Sequence, residues 1–122
     1  MAQSPAKRVE KNMNEFERTL LSDKTPCRPG PLERVCVGVA EVHAELLLIH
    51  PFREGNGRLA RWLAELMALQ AGFPLPVYRF TGRGSKAESD RYLDAVKRGY
   101  VRDYRPLTDF FRTALERGGA GS

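Results

Sequence analysis

The stretch Leu32–Ile49, LERVCVGVAEVHAELLLI, decides the fold. Its apolar residues recur at intervals of three and four, which is the spacing of a broad stripe along one α-helix. The stripe consists of Val35, Cys36, Val39, Ala40, Val42, Leu46, Leu47, Leu48 and Ile49. We expect so apolar a helix to be the buried, central one. It should end at His50, because Pro51 disfavours the α conformation in the residue before it.

Amphipathic helices are predicted on either side of this stretch. Upstream, one helix begins near Lys7 and ends near Ser22, with an apolar face made of Val9, Met13, Phe16 and Leu20. Prolines between residues 23 and 31 then predict a loop. Downstream, a helix is predicted from Asn56 to about Ala71, followed by Gly72 as a C-terminal cap. Its inward face is expected to contain Leu59, Trp62, Leu63, Leu66, Met67 and Gln70.

The C-terminal part begins with a connector, residues 72–84. Its alternating apolar residues permit an extended piece, but no second strand is evident to pair with it. Ser85 and Glu88 fit the capping-box pattern S-x-x-E and predict the start of a helix that reaches about Val101. The inward residues of that helix are expected to be Tyr92, Leu93, Val96 and Tyr100.

A last helix is predicted to begin at Pro106, since proline suits the first helical position, and to end at Gly118. Its inward residues are Leu107, Phe110, Phe111, Ala114 and Leu115. The predicted fold class is therefore all-α, with about five helices in one compact domain over residues 6–117 and a disordered tail over residues 118–122. A chain of 122 residues is long enough for one modest core.

The charge balance favours anionic partners. Twenty Lys and Arg against fifteen Asp and Glu give a formal net charge of +5, which suits nucleotides, nucleic acid or acidic surfaces. No predicted helix carries a concentrated basic face, so a nucleic-acid-binding helical domain is the weaker interpretation.

The cysteines and the N-terminus indicate a compartment. Cys27 and Cys36 lack the spacing of a zinc site, and we expect reduced thiols, with Cys36 buried. No signal segment is evident, and the longest aliphatic run, from Leu46 to Ile49, is far too short to cross a bilayer. We therefore expect no membrane association and a cytoplasmic location.

Residues 50–61, HPFREGNGRLAR, carry the chemistry. The first turn of the helix after them offers free N–H groups and the positive end of a helix dipole, which together bind phosphate. Gly55 and Gly57 allow the backbone to approach an anion closely. Arg58 and Arg61 lie on one side of the same helix and add cationic forks for phosphate oxygens.

Two titratable residues complete this loop. Glu54 is a lone carboxylate in a basic cluster, which suits a Mg²⁺ ion that takes its other ligands from phosphates and water. Histidine is the side chain that most often takes up a proton in catalysis near neutral pH, so His50 is the natural general base for an incoming hydroxyl. Pro51 ends the buried helix, and Phe52 is expected to fix the loop to the core.

Each of these residues alone has an ordinary structural explanation. A histidine after an apolar helix usually packs or caps. The Gly-x-Gly here follows a helix, whereas a dinucleotide fold requires a strand before it. The combination of these residues within one short loop is what favours a phosphate site.

Residues 50–61 match in full the HxFx[D/E]GNGRxxR signature of the Fic family (filamentation induced by cAMP), within the Fic/Doc superfamily. Looser similarity extends from about Ala6 to Leu115 and includes the contexts of His43 and Tyr92. The family is all-helical, and its members mostly transfer a nucleotide monophosphate onto protein hydroxyls. The resemblance thus implies a protein adenylyltransferase that uses Mg-ATP, with the site loop between the central helix and the next.

The resemblance also implies a role for each motif residue. His50 would deprotonate a Tyr, Thr or Ser hydroxyl on a target protein, and Glu54 would hold Mg²⁺ between the α- and β-phosphates. The start of the helix predicted from Asn56 would bind the phosphates, and Arg61 would bind the γ-phosphate. The other phosphate-binding residues would be Gly55, Asn56, Gly57 and Arg58.

Two departures from the family pattern stand out. A β-hairpin flap that docks the target normally precedes the first helix, and here the chain starts near that point, so a fragment without the flap is expected. The inhibitory segment [S/T]xxxE[G/N] is also not found. A separate antitoxin-like partner would then be the inhibitor that binds near Arg61.

These departures leave two alternatives open. One is a nucleotide-binding Fic module that is inactive or regulatory. The other is transfer of a different group, such as UMP, GMP, phosphocholine or phosphate. The intact Gly57-Arg58 pair disfavours the Doc-like kinases, which depart from the motif there.

Overall fold

The computed structural model describes residues 5–50 and 55–120, and within these ranges the chain forms five principal helices and no strand. The first helix, α1, continues through a π-helical turn, Glu17–Leu21, and a short helical segment, Ser22–Lys24. The five are α1 (Pro5–Phe16), α2 (Leu32–Ile49), α3 (Asn56–Gln70), α4 (Ser85–Gly99) and α5 (Arg105–Ala120). The predicted all-α class is confirmed. None of the described helices is both long enough and apolar enough to cross a bilayer.

The helix α2 is the central element, as predicted. It packs against α1, α3, α4 and α5, and ten of its residues are buried. Burying one aliphatic side chain fully contributes roughly 1.5–3 kcal/mol, so this helix supplies a large share of the stabilisation. Leu48 is the exception within the predicted stripe, with 51% of its surface exposed. It lies about 200° around the helix from Leu46, at 100° per residue, and so faces away from the core.

The helix α3 packs on α2 through small residues rather than through its bulky ones. Ala60 and Ala64 are buried, together with Met67. The prediction that Trp62 and Leu66 face inward is wrong, because they are 73% and 50% exposed. Apolar residues surround most of α3, and the alanine face allows its backbone to come closest to α2.

The predicted capping box of α4 is also wrong. The cap residue is Gly84, at φ 81°, and none of the described side chains caps the helix. Glu88 instead points into the protein, where it is 5% exposed. Its carboxylate accepts hydrogen bonds from the Arg79 N–H, at 3.0 Å, and from Arg117 Nη1, at 2.5 Å. It also pairs with Arg91.

The C-terminal end of α4 makes a close contact with α2. The helix ends at Gly99 rather than Val101. A Cβ at Gly99 would lie only 2.7 Å from the Ala44 Cβ, so the two helices can approach this closely only at a glycine. Leu93 and Tyr100, predicted to face inward, are 53% and 39% exposed, whereas Tyr92 and Val96 are buried as expected.

The helix α5 runs two residues beyond its predicted end, so residues 118–120, assigned to a disordered tail, are helical. A Cβ at Gly118 would lie 2.2 Å from the Leu75 carbonyl oxygen. Gly118 therefore allows close contact between α5 and the connector and does not end the helix. The connector is also fixed to α5 by a hydrogen bond from the Val77 N–H to the Ala114 oxygen, at 2.9 Å.

Both cysteines are free thiols and Cys36 is buried, as predicted, and Cys27 is buried as well. Burial raises the pKa of Cys36 to about 12. This thiol is therefore protonated near neutrality and has little nucleophilic character.

Candidate functional site

His50 lies at the C-terminal end of α2, as predicted, and its side chain is exposed. Its backbone is left-handed, at φ 56° and ψ 60°, and its N–H donates to the Leu46 oxygen at 3.2 Å. Nδ1 lies 3.4 Å from the Leu47 carbonyl oxygen. Because a carbonyl can only accept, this contact favours a proton on Nδ1 and leaves the lone pair on Nε2.

The start of α3 has a glycine backbone suited to anion contact. Gly55 is the cap residue at φ 84°, a conformation that favours glycine, and its carbonyl accepts from the Leu59 N–H at 2.9 Å. Among the described residues, no side chain makes a capping hydrogen bond at this end of the helix. Asn56, the first helical residue, is 5% exposed. The first turn therefore places the positive end of a helix dipole beside the glycine backbone of Gly55.

The two motif arginines of α3 differ in exposure. Arg58 is exposed, whereas Arg61 is half-buried. Arg61 Nη1 lies 3.2 Å from the position that a Cβ would take at Gly57. The guanidinium of Arg61 therefore lies over the first turn of α3, and Gly57 leaves room for it.

The short segment between α2 and α3 limits how far apart the helix ends that carry these residues can lie. Four residues separate His50 from Gly55, which limits their Cα atoms to at most about 18 Å apart. The helices also pack together and are joined by a buried hydrogen bond, in which His43 Nδ1 lies 3.0 Å from the Ala60 oxygen. The structure thus places the exposed imidazole and the two arginines at the same end of the α2–α3 pair.

His43 organises the interior behind this site. It is 1% exposed, and burial lowers its pKa to about 4, so the ring is neutral. With the Nδ1 proton donated to Ala60, Nε2 accepts from the Tyr92 hydroxyl at 2.5 Å. One side chain of α2 thereby fixes both α3 and α4.

Three of the predicted site residues lie outside the part of the chain that the structure describes. These are Pro51, Phe52 and Glu54, so the predicted metal ligand has no described position. Within the described ranges, no three His, Cys, Asp or Glu side chains are grouped to hold a metal ion.

Sequence reasoning did not single out Phe80 or the hydrogen-bonding role of His43. The Arg61 guanidinium carbon lies 5.7 Å from the centre of the Phe80 ring. Phe80 belongs to a connector with no regular periodicity, so no spacing rule links it to α3. For His43, a polar residue within the apolar stripe of α2 was the available signal, since a buried imidazole requires hydrogen-bond partners.

Comparison with known proteins adds a family match. The model of the Fic/DOC family matches residues 1–68, which is more than half of the chain. The matched region contains α1, α2, the site loop and most of α3. It therefore includes every residue that the sequence assigned to the site.

Curated relatives with similar sequences are adenylyltransferases by name. "Protein adenylyltransferase Fic" of Nematostella vectensis is 38% identical over 109 residues, which cover 89% of this chain and 23% of that protein. "Probable protein adenylyltransferase y4lH" of Sinorhizobium fredii is 32% identical over 107 residues, covering 88% and 52%. "Protein adenylyltransferase fic-1" of Caenorhabditis elegans is 32% identical over 101 residues, covering 63% and 19%. The chain thus spans between 19% and 52% of the length of these relatives.

Proposed function

The chain belongs to the Fic/DOC family, and from this membership we propose that it is a protein adenylyltransferase, which transfers AMP from Mg-ATP to a hydroxyl side chain of a target protein. One observation carries the proposal. The exposed His50 ends α2 only four residues before the glycine-lined, arginine-bearing start of α3. A base and a phosphate-binding helix end are the two parts that such a transfer needs.

His50 is proposed as the general base. With its Nδ1 proton directed to the Leu47 carbonyl, its Nε2 lone pair is available to a hydroxyl of the target. The hydroxyl oxygen then attacks the α-phosphorus of ATP while its proton passes to Nε2. The bond from the α-phosphorus to the bridging oxygen breaks, and pyrophosphate leaves.

The start of α3 is proposed to hold the phosphates. The backbone N–H groups of its first turn lie at the end of the helix that carries a partial positive charge. Gly55, Asn56 and Gly57 supply this backbone, and Arg58 supplies an exposed guanidinium. Arg61 is proposed to bind the γ-phosphate. Its half-buried position is also where we propose that a separate antitoxin-like inhibitor would act.

Glu54 is proposed to hold the Mg²⁺ ion that accompanies ATP. One carboxylate among cationic and N–H donors fits this ion, which takes one or two protein oxygens and completes its shell with phosphate oxygens and water. The bound ion would neutralise phosphate charge. Pro51 and Phe52 are proposed to fix the loop that carries this carboxylate.

His50→Ala tests the proposal. Incubation of target candidates with α-labelled ATP should show transfer by the wild type and a loss of at least about 100-fold in the variant, the usual contribution of general base catalysis. Mg-ATP affinity measured by calorimetry should stay the same. Asp90→Asn, a change at an exposed site on α4, serves as the control and should transfer label normally. Undiminished transfer by His50→Ala would show that His50 is not the general base.

The same assay separates the other activities considered for this family. Label that arrives only from γ-labelled ATP indicates phosphorylation, and faster transfer from another nucleotide indicates a different donor. Mg-ATP binding without any modified protein indicates a nucleotide-binding module. Retention by nucleic acid with a steep salt dependence would indicate a different partner altogether.

A further inference from the structure

The guanidinium of Arg61 lies over an aromatic ring outside α3. This ring belongs to Phe80, and its centre lies 5.7 Å from the guanidinium carbon. Tyr92 is a further neighbour of Arg61, because the positive charge of Arg61 opposes the rise that burial causes in the pKa of Tyr92. The Tyr92 hydroxyl itself donates to His43 Nε2, at 2.5 Å.

Phe80 is itself fixed in place. The backbone N–H of Arg79, its neighbour, donates to the buried Glu88 carboxylate at 3.0 Å. The Phe80 ring stacks on Phe110, with centres 6.1 Å apart and an interplanar angle of 10°. Its centre lies 5.4 Å from that of Tyr92. These contacts fix the Phe80 ring, although the connector that carries it is irregular. The ring can therefore serve as a fixed surface for the Arg61 side chain.

We propose that Phe80 is a positioning residue for triphosphate binding, which holds the Arg61 guanidinium over the first turn of α3 before a nucleotide binds. This inference rests on the proposed function, in which Arg61 binds the γ-phosphate. A long side chain that is already ordered loses less conformational freedom on binding, so holding it in advance raises affinity. A contact with a ring face uses the positive charge of the guanidinium and none of its N–H donors, which can therefore bind phosphate oxygens.

The expected consequence is selectivity for ATP over AMP. Phe80→Leu removes the ring and should weaken ATP binding roughly three- to thirty-fold, the range expected from the usual strength of a cation–π contact. The affinity for AMP, which has no γ-phosphate, should not change. Phe80→Trp keeps an aromatic face and should retain ATP affinity. Calorimetry with each nucleotide in the presence of Mg²⁺ gives these values.

A matched control separates positioning from general loss of packing. Phe111→Leu removes a ring from the same aromatic cluster, and the ring contacts of Phe111 are with His43, Tyr78 and Phe110 rather than with Phe80 or Arg61. It should lower the melting temperature while leaving the ATP-to-AMP affinity ratio close to that of the wild type. An equal change of that ratio in both variants would overturn the inference.

A double-mutant cycle gives the decisive result. Phe80→Leu should have no further effect on ATP affinity in an Arg61→Ala background, because the ring acts only through that arginine. Additive losses would overturn the inference, as would equal losses for ATP and AMP. Nitrogen-15 NMR of the Arg61 Nε–H, assigned with Arg61→Lys, should show an upfield ring shift that disappears in Phe80→Leu.

The outcome is independent of the transfer assay. If the wild type binds ATP but labels no protein, the proposed transferase activity is wrong. The double-mutant cycle on ATP affinity still decides the role of Phe80. A wild type that transfers AMP but shows no dependence of ATP affinity on Phe80 keeps the activity and removes the positioning role.

Discussion

His43 shows how one buried side chain can determine both stability and site geometry. Its ring hydrogen-bonds to Ala60 of α3 and Tyr92 of α4, and it packs edge-on against Phe111 of α5, with ring centres 4.9 Å apart. Three helices are thereby fixed to α2 at one point. Burial keeps the ring neutral, so Nε2 has a lone pair that accepts a hydrogen bond from the Tyr92 hydroxyl.

The neutral state of His43 makes stability depend on pH. Burial lowers its pKa from 6.5 to about 4, so between these values the unfolded chain binds a proton that the folded chain does not. The free energy of unfolding should therefore fall as the pH falls from about 6.5 towards 4. Between pH 7.5 and pH 5 we expect a decrease of roughly 2 kcal/mol.

Urea unfolding of His50→Ala at several pH values measures this dependence. His43 is then the single remaining histidine, since the chain has two. The low pKa of Glu88, about 2 because Arg117 donates a hydrogen bond to it, affects stability only below about pH 4.5. A flat profile between pH 7.5 and pH 5 would contradict a neutral, buried His43, and the profile should flatten in a His43→Gln variant.

At the scale of elements, the connector between α3 and α4 is held by one buried carboxylate. Glu88 binds the connector through the Arg79 N–H and α5 through Arg117, whose Nη1 also lies 3.4 Å from the Val77 oxygen. A buried charge with several partners costs much more to disrupt than an exposed ion pair. Chain segments from three parts of the sequence therefore depend on this residue.

Glu88→Ala should lower the free energy of unfolding by about 3 kcal/mol or more, because it leaves Arg117 without its buried partner. The matched control on the same helix is Asp90→Ala. It breaks an exposed pair with Lys86 at 2.8 Å and should cost no more than about 0.5 kcal/mol. Urea unfolding gives both values. Equal effects in the two variants would show that Glu88 behaves as a surface charge.

Helix existence could be predicted from the sequence more securely than helix ends. Apolar spacing identified α2, and Pro51 located its end at His50. Gly118 has the position of a helix stop in the sequence, but close contacts with Leu75 and Ala44 are what require Gly118 and Gly99. Such contacts join residues far apart in the chain, so a local stop signal and a packing glycine look alike in sequence.

At the scale of the whole molecule, the candidate site also has one part that local sequence predicts and another that depends on distant contacts. Its motif residues are contiguous in the chain, so His50, Gly55 and Arg61 could be assigned from the sequence. Phe80 could not, because its relation to Arg61 arises only when the connector folds back over α3. Apolar residues occupy most of the circumference of α3, so their spacing alone does not show which face is buried. The buried face is determined only when the helices pack together.

The packing of α3 through its alanine face leads to a last prediction. Trp62→Gln should change the free energy of unfolding by no more than about 0.5 kcal/mol, because the indole is 73% exposed. Met67→Ala should cost roughly 2–5 kcal/mol, since that side chain is fully buried. Urea unfolding followed by circular dichroism compares the two.

Trp62 also reports on this face directly in the wild type, as it is the single tryptophan of the chain. Its fluorescence in the folded protein should resemble that of an indole in water and should be readily quenched by iodide. It lines an apolar groove of about 560 Å³ together with Leu66, Leu69 and Leu75. A blue-shifted, protected emission, or a large loss of stability in Trp62→Gln, would mean that α3 buries its bulky face and that the alanine contact with α2 is wrong.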